Sequence, residues 1–204
     1  MLDLDALRGA ALQRDPFDHV IVPRFIAADA LTSIEQDFPA IASPGSYPLE
    51  SLRFGPAFER LSRELQSEEM SAVLGEKLGL TLLDHPTMIT VRGQCRATDG
   101  KIHTDSAGKV ATVLLYINDG WNAEGGRLRL LRSAGDIENY AVEVPPDAGT
   151  LLAFPCSENA WHGHLPFEGA RRSLQLNWAR DAAYLRKEKV RHRISAFFKR
   201  AGFG

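Results

Sequence analysis

Residues 99–120 read DGKIHTDSAGKVATVLLYINDG, and the fold turns on how this stretch is read. Asp99-Gly100 is turn chemistry. The tripeptide His103-Thr104-Asp105 follows, and then a β-rich apolar run over about 109–117, which Asn118-Asp119-Gly120 stops. Residues at i and i+2 of an extended segment project the same way, about 7 Å apart along the chain. An imidazole and a carboxylate placed so can occupy adjacent positions on one metal ion. Alone, the tripeptide reads more simply as a solvated surface pair. What decides is whether a strand framework and a second histidine accompany it.

The framework is present on both sides. Short β-rich runs broken by Gly, Pro, Asn and Asp fall near 81–83, 87–93, 109–117, 127–131, 138–144, 149–154, 161–165 and 171–179. Short strands at such regular spacing imply a sandwich or jelly roll. The chain before them is helical in pattern. Residues 3–13 carry apolar side chains at helical spacing, and 20–22 reads as a strand. Asp29 is placed to cap a helix over 30–38, and helices are expected over 56–65 and, capped by Ser67, over 67–78. The segment 39–56, with four prolines, is read as a loop. A last helix spans about 182–199. Helices first and strands later give an α+β class, a jelly-roll core with the N-terminal helices packed on one sheet. The 204 residues suit a single domain: helical support over 1–79, a β core over 80–180 and a C-terminal helix over 181–204.

A second histidine is offered by Trp161-His162-Gly163-His164-Leu165-Pro166, where His162 and His164 are both candidates. Two histidines and a carboxylate on one triangular face leave three coordination sites open, the arrangement of non-haem Fe(II) oxygenases. A structural zinc site would instead be filled by four protein ligands, and Cys95 and Cys156 are not spaced for one. Downstream, Ala170 to Trp178 alternates. Leu174 and Leu176 face one way, while Arg171, Ser173, Gln175 and Asn177 face the other. That polar side, nine residues beyond a histidine, can line a pocket in which Arg171 offers a planar fork to a carboxylate and Ser173 a hydroxyl.

Composition restrains the rest. A net charge of −2 argues against a polyanion binder, so no nucleic-acid partner is expected. No apolar run approaches the roughly 18–20 residues of a membrane span. The acidic start, Met1-Leu2-Asp3-Leu4-Asp5, lacks a secretory layout, so a cytoplasmic location is expected, with both cysteines reduced. No nucleophile elbow occurs, and Gly125-Gly126 is a turn rather than a phosphate cradle. His19, His85 and His192 are read as structural or solvent-facing, and Trp161 and Trp178 as core. The basic stretch 184–200 is read as a helix packing Val190, Ile194, Phe197 and Phe198 on the β core. A contact surface for a membrane, nucleic acid or an acidic partner is the alternative.

Taken together, His103-Thr104-Asp105, Val113 to Asn118, Gly125 to Leu130, Trp161-His162-Gly163 and Arg171-Arg172-Ser173 resemble the prolyl-4-hydroxylase-like branch of the 2-oxoglutarate/Fe(II) dioxygenases. The resemblance covers about 80–180 in order and spacing, and implies a double-stranded β-helix. It implies Fe(II) held by His103, Asp105 and His162, with His162 preferred to His164 because the family's distal histidine lies four residues before the proline, here Pro166. It implies that Arg171 pairs with the far carboxylate of 2-oxoglutarate, with Arg172 the alternative one register away. Tyr116 would reach the same carboxylate, and Leu128 would wall the cosubstrate pocket. Many relatives have a further tyrosine shortly before the first histidine, and Val91 to Ile102 holds none. The implied activity is hydroxylation of a protein residue or small molecule, releasing succinate and CO2, with ascorbate as a supporting reductant. A binding module with the same ligands and no turnover, or a zinc hydrolase, are the other classes the residues allow. Substrate and oligomeric state are not legible in the sequence.

Overall fold

The computed structural model describes the backbone of residues 1–200 and the side chains of residues 1–191. In chain order the elements are α1 (Leu4–Gly9), β1 (Val20–Val22), α2 (Ala28–Gln36), β2 (Tyr47–Pro48), α3 (Pro56–Leu65), α4 (Glu68–Leu78), β3 (Thr87–Cys95), β4 (Lys109–Tyr116), β5 (Leu128–Leu131), β6 (Tyr140–Val144), β7 (Leu151–Pro155), β8 (His162–His164), β9 (Gly169–Ala179) and α5 (Ala182–Arg200).

Local chemistry sets the helix ends. Asp3 caps α1 by accepting the Ala6 amide at 2.8 Å. The helix then ends at Gly9, short of the expected residue 13, because Ala10 is extended. Ser67 caps α4 from its hydroxyl, and Gly79 closes it in the left-handed region at φ 67°. Asp29 is not a cap: α2 starts at Ala28, and Asp29 lies in its first turn, where a carboxylate favours the helix dipole. The capping acid of this region is Asp37, whose Oδ2 accepts the Ala57 amide of α3 at 2.6 Å.

The strands form two antiparallel sheets. The large one has the order β1-β7-β4-β9-β3-β2, and the small one β6-β5-β8. The strand expected at 81–83 is coil. Leu82, only 2% exposed, turns in against α4 instead. Conversely, the loop 39–56 contributes the short edge strand β2, paired to β3 through Tyr47↔Val91 and Pro48↔Thr90.

The two-residue period gives each face of the large sheet one task. Leu174, Leu176 and Trp178 of β9 lie level with Val91 and Ile89 of β3 and Leu115, Val113 and Ala111 of β4. These bury against the N-terminal helices through Phe58, Leu61, Leu65, Met70 and Leu74 in one apolar cluster. On the opposite face Leu152, Phe154 and Tyr116 pack with Leu128, Leu130 and Val144 of the small sheet. The remainder of that face is polar and stays open as a cavity between the sheets. The described part of α5 reaches β2 and β9, and its Lys189 pairs with Glu50 at 2.7 Å. Val190 is 55% exposed, so it does not pack inward as expected. His192, Ile194, Phe197 and Phe198 lie outside the described side chains. Among the described residues no helix is long and apolar enough to cross a membrane.

Candidate metal centre

His103 and His162 meet across a two-hydrogen-bond bridge. Each amide donates to the other's carbonyl, at 3.0 and 2.9 Å, which fixes the segment before β4 against β8. The approach requires Gly163: a Cβ there would stand 2.8 Å from the Gly100 carbonyl oxygen and 3.3 Å from Ile102 backbone atoms. The two imidazoles lie 4.3 Å apart between centroids. His103 Nδ1 is 2.8 Å from the Lys101 carbonyl, and His162 Nδ1 is 2.9 Å from the Ala160 carbonyl. A carbonyl only accepts, so each Nδ1 carries the proton and each Nε2 keeps a lone pair free for a metal. Burial, then the neighbouring His103, pushes His162 down to about 4, so its imidazole is neutral at physiological pH.

Asp105 completes the group. Ligand atoms of His103, Asp105 and His162 all lie within 4.8 Å of one another. Burial alone would raise the Asp105 carboxyl, but the Lys109 ammonium, 2.7 Å from Oδ1, holds it below the usual carboxylate range. Thr112 donates to Oδ2, and Asn177 Nδ2 donates in turn to Thr112 Oγ1 at 2.7 Å. Such outer partners orient metal ligands. Cys156 approaches the same carboxylate at 3.9 Å. Its thiol is pushed up to about 12 by burial and by Asp105, so it stays protonated and outside the donor set.

The three residues open on a cavity of about 240 Å3 floored by β3, β4 and β9. Arg171, 7% exposed, enters it and is fixed by Nε donating to the Gly126 carbonyl at 2.8 Å. Among the described residues it has no acidic partner within salt-bridge distance. Arg172 points the other way, over the Phe38 ring, so the register favours Arg171. Ser173 and Leu128 are cavity walls. Tyr116 is not: its ring is fully buried, with the Arg171 guanidinium 5.3 Å from its centroid. Its hydroxyl is a buried polar atom without a hydrogen bond. A buried hydroxyl whose nearest polar neighbour is Arg171, beside a guanidinium with no acidic partner, suits an acidic ligand. Two imidazoles, one carboxylate and no thiolate suit Fe(II) better than a structural zinc. The residues present therefore fit an iron centre with a dicarboxylate beside it.

Of the seven residues expected from the sequence, His103, Asp105, His162, Arg171, Leu128 and Ser173 line this cavity and Tyr116 does not, while other lining residues drew less notice. His164 was the less favoured of the two candidate histidines. It is buried, lines the cavity and is pushed down to about 4 by burial and by Arg171. Arg92, Lys109, Thr112 and Asn177 also line the cavity. What places Thr112 and Arg92 there is cross-strand register, which local pattern does not report: Thr112 is level with Asn177, and Arg92 with Ser173.

The sequence model of the 2OG-Fe(II) oxygenase superfamily matches residues 93–180. A prolyl-4-hydroxylase of Pseudomonas putida superposes with a TM-score of 0.58 at 19% identity, over 87% of this chain and 97% of that one. A Trichoplax adhaerens prolyl hydroxylase, solved with a hypoxia inducible factor peptide fragment, gives 0.54 at 17% identity over 92% and 91%. HygX of Streptomyces hygroscopicus, solved with nickel and 2-oxoglutarate bound, gives 0.52 at 13% identity over 79% and 82%. At these identities the likeness speaks for the fold. No curated protein sequence matches the chain.

Proposed function

We propose, from the match of residues 93–180 to the sequence model of the 2OG-Fe(II) oxygenase superfamily, whose members are oxidoreductases using Fe(II) and 2-oxoglutarate, that this chain hydroxylates a protein residue or small molecule at the centre formed by His103, Asp105 and His162. The observation that carries the reading is that these three groups face a cavity whose buried end holds an unpaired arginine. The two sheets are read as the halves of a double-stranded β-helix. Residues 80–180 act as the catalytic core, and 1–79 as its helical support.

In this reading His103 Nε2, His162 Nε2 and an oxygen of Asp105 hold the iron. With 2-oxoglutarate bound, an iron held there would supply oxidation by O2, coupling decarboxylation of 2-oxoglutarate to succinate and CO2 with hydroxylation of a substrate C–H bond. The chain's own residues bind and orient. Arg171 takes the remote carboxylate through its two free Nη groups, while its Nε stays on Gly126. Ser173 supplies a hydroxyl to the same group, and Tyr116, buried behind the wall, backs the Arg171 guanidinium with its ring. The Thr112 and Asn177 relay holds Asp105 in its rotamer. Leu114 and Leu128 give the cavity its apolar walls and limit water around the reacting atoms. No group is needed as a general base.

The test is anaerobic loading with Fe(II) and 2-oxoglutarate, then measurement of succinate on adding O2 with a panel of peptides and metabolites. Iron-dependent succinate is expected, and binding of neither iron nor 2-oxoglutarate would sink the reading. Arg171→Ala is expected to raise the KM for 2-oxoglutarate roughly 10- to 100-fold, since a charge-assisted, partly buried bond contributes about 1.5–3 kcal/mol. Arg172→Ala should leave it within about twofold, and the reverse order would exchange the two roles. Thr112→Val keeps the shape but removes the hydroxyl on Asp105. Iron affinity, read by anaerobic titration, should fall about 10- to 100-fold, as for other partners of metal ligands.

A further inference from the structure

Arg171 accounts for one cation of the cavity, and a second one has no part in the reading above. Arg92 stands on β3 opposite Ser173 and lines the same cavity. Its Nε donates to Ser46 Oγ at 2.8 Å, which fixes the plane of the guanidinium. Its nearest carboxylate, Asp99, is 3.8 Å from Nη1, beyond hydrogen-bond length. That carboxylate's Oδ2 already accepts the Arg96 amide at 3.1 Å. Arg92 therefore presents a fork of donors whose anionic partner, Asp99, stands off at 3.8 Å without a hydrogen bond.

Charge makes the same point. Lys109 is paired with Asp105 at 2.7 Å, and Arg191, which also lines the cavity, is paired with Glu188. Crediting Asp99 wholly to Arg92 still leaves Arg171 as one uncompensated positive charge. Fe(II) and the 2-oxoglutarate dianion cancel each other, so the loaded cavity stays positive. Half-buried cations side by side cost stability unless an anion joins them.

The register separates two lanes on the cavity floor. Thr112 and Leu114 of β4 run along one side of β9, from the Asp105 partner toward the Arg171 end, where Tyr116 lies buried behind the wall. Met88, Thr90 and Arg92 of β3 run along the other side. The first lane is the one the cosubstrate takes in the proposed function. The second carries a hydroxyl and a guanidinium and is flanked by Ser46, at the start of β2, and by Arg191 of α5. The whole cavity measures about 240 Å3, and a lane within it, bounded by a strand and a helix, suits a small molecule rather than an extended chain.

We propose that Arg92 recognises an acidic group, carboxylate or phosphate, on a small primary substrate lying along β3. This rests on the oxygenase reading of the same cavity.

The test is calorimetric titration of the anaerobic protein loaded with Fe(II) and saturating 2-oxoglutarate. The probes are N-acetylglycine for a carboxylate, glycerol phosphate for a phosphate and N-acetylglycinamide as the neutral control. At least one anion should bind and the amide should not. Arg92→Gln should weaken that anion at least tenfold while leaving 2-oxoglutarate affinity within about threefold. Ser46→Ala, which keeps the charge and frees only the guanidinium's orientation, should weaken it less. Circular dichroism of each variant separates a lost contact from a lost fold. No anion uptake by the wild type, unchanged uptake by Arg92→Gln, or a loss of 2-oxoglutarate in Arg92→Gln as large as in Arg171→Gln would each overturn the inference. Failure of the wild type to take up 2-oxoglutarate at all would instead sink the reading on which it rests.

Discussion

Asp105→Ala and His162→Ala proteins are expected to melt at the same temperature with and without ferrous iron, whereas the wild type melts higher when iron is added. A ligand that binds only the folded state stabilises it by about 2.7 kcal/mol at a hundred times its Kd. For a chain of this length each kcal/mol moves Tm by roughly 2–4 °C, so the wild-type rise is roughly 5–11 °C. The difference with and without metal is the quantity to read, because each substitution carries a cost of its own. Removing the Asp105 carboxylate leaves Lys109, whose side chain is 14% exposed, without its partner. Removing the His162 imidazole empties a site that is 4% exposed and packed against Phe154. Iron-dependent succinate should fall below detection in both proteins. His103→Ala makes a third arm, and there the apo form should change least, because His103 is the exposed member of the three. A metal-induced rise that survived in any of them would remove that residue from the ligand set.

What the sequence made legible follows from the two-residue period. β9 alternates so cleanly that both its faces were readable: Leu174, Leu176 and Trp178 toward the helices, Arg171, Ser173, Gln175 and Asn177 toward the cavity. The same period could not rank His162 against His164, since parity puts both on one face. Only His162 pairs with His103 through the backbone, and that contact spans about sixty residues that no local pattern reports. Arg92 was invisible for a related reason. Ile89-Thr90-Val91 reads as one apolar, β-branched run, so the cavity face of β3 has no periodic mark. Thr112 is likewise an ordinary strand residue until its register with Asn177 and its bond to Asp105 are known.

The errors at element ends have equally local causes. Leu80 to Leu83 is apolar enough to suggest a strand, but it follows the left-handed Gly79 that reverses the chain out of α4. Its backbone pairs with nothing in either sheet. β2 is two residues long and contains Pro48, so no periodicity could announce it. It exists because β3 presents a free edge, and an edge strand tolerates proline. In both places tertiary pairing outweighs local propensity.

The second large effect lies on the face of β9 that the chemistry does not use. Trp178 is fully buried between the large sheet and the helices, and its Nε1 donates to Ser71 Oγ of α4 at 3.1 Å. It is the largest side chain in the cluster that joins the helical layer to the strand bearing Arg171 and Ser173. Trp178→Ala is expected to lower the free energy of unfolding by about 3–5 kcal/mol, the cost of deleting a buried indole whose cavity cannot fully collapse. Trp178→Phe keeps most of the apolar volume and loses the bond to Ser71, so about 1–2 kcal/mol should go. Urea unfolding measures both. Because the residue points away from the cavity, the loss should be equal in the presence and absence of iron, the opposite of the pattern for Asp105→Ala. A Trp178→Ala loss below about 1 kcal/mol, or one that appeared only with metal bound, would mean that the helices do not rest on β9 through this side chain.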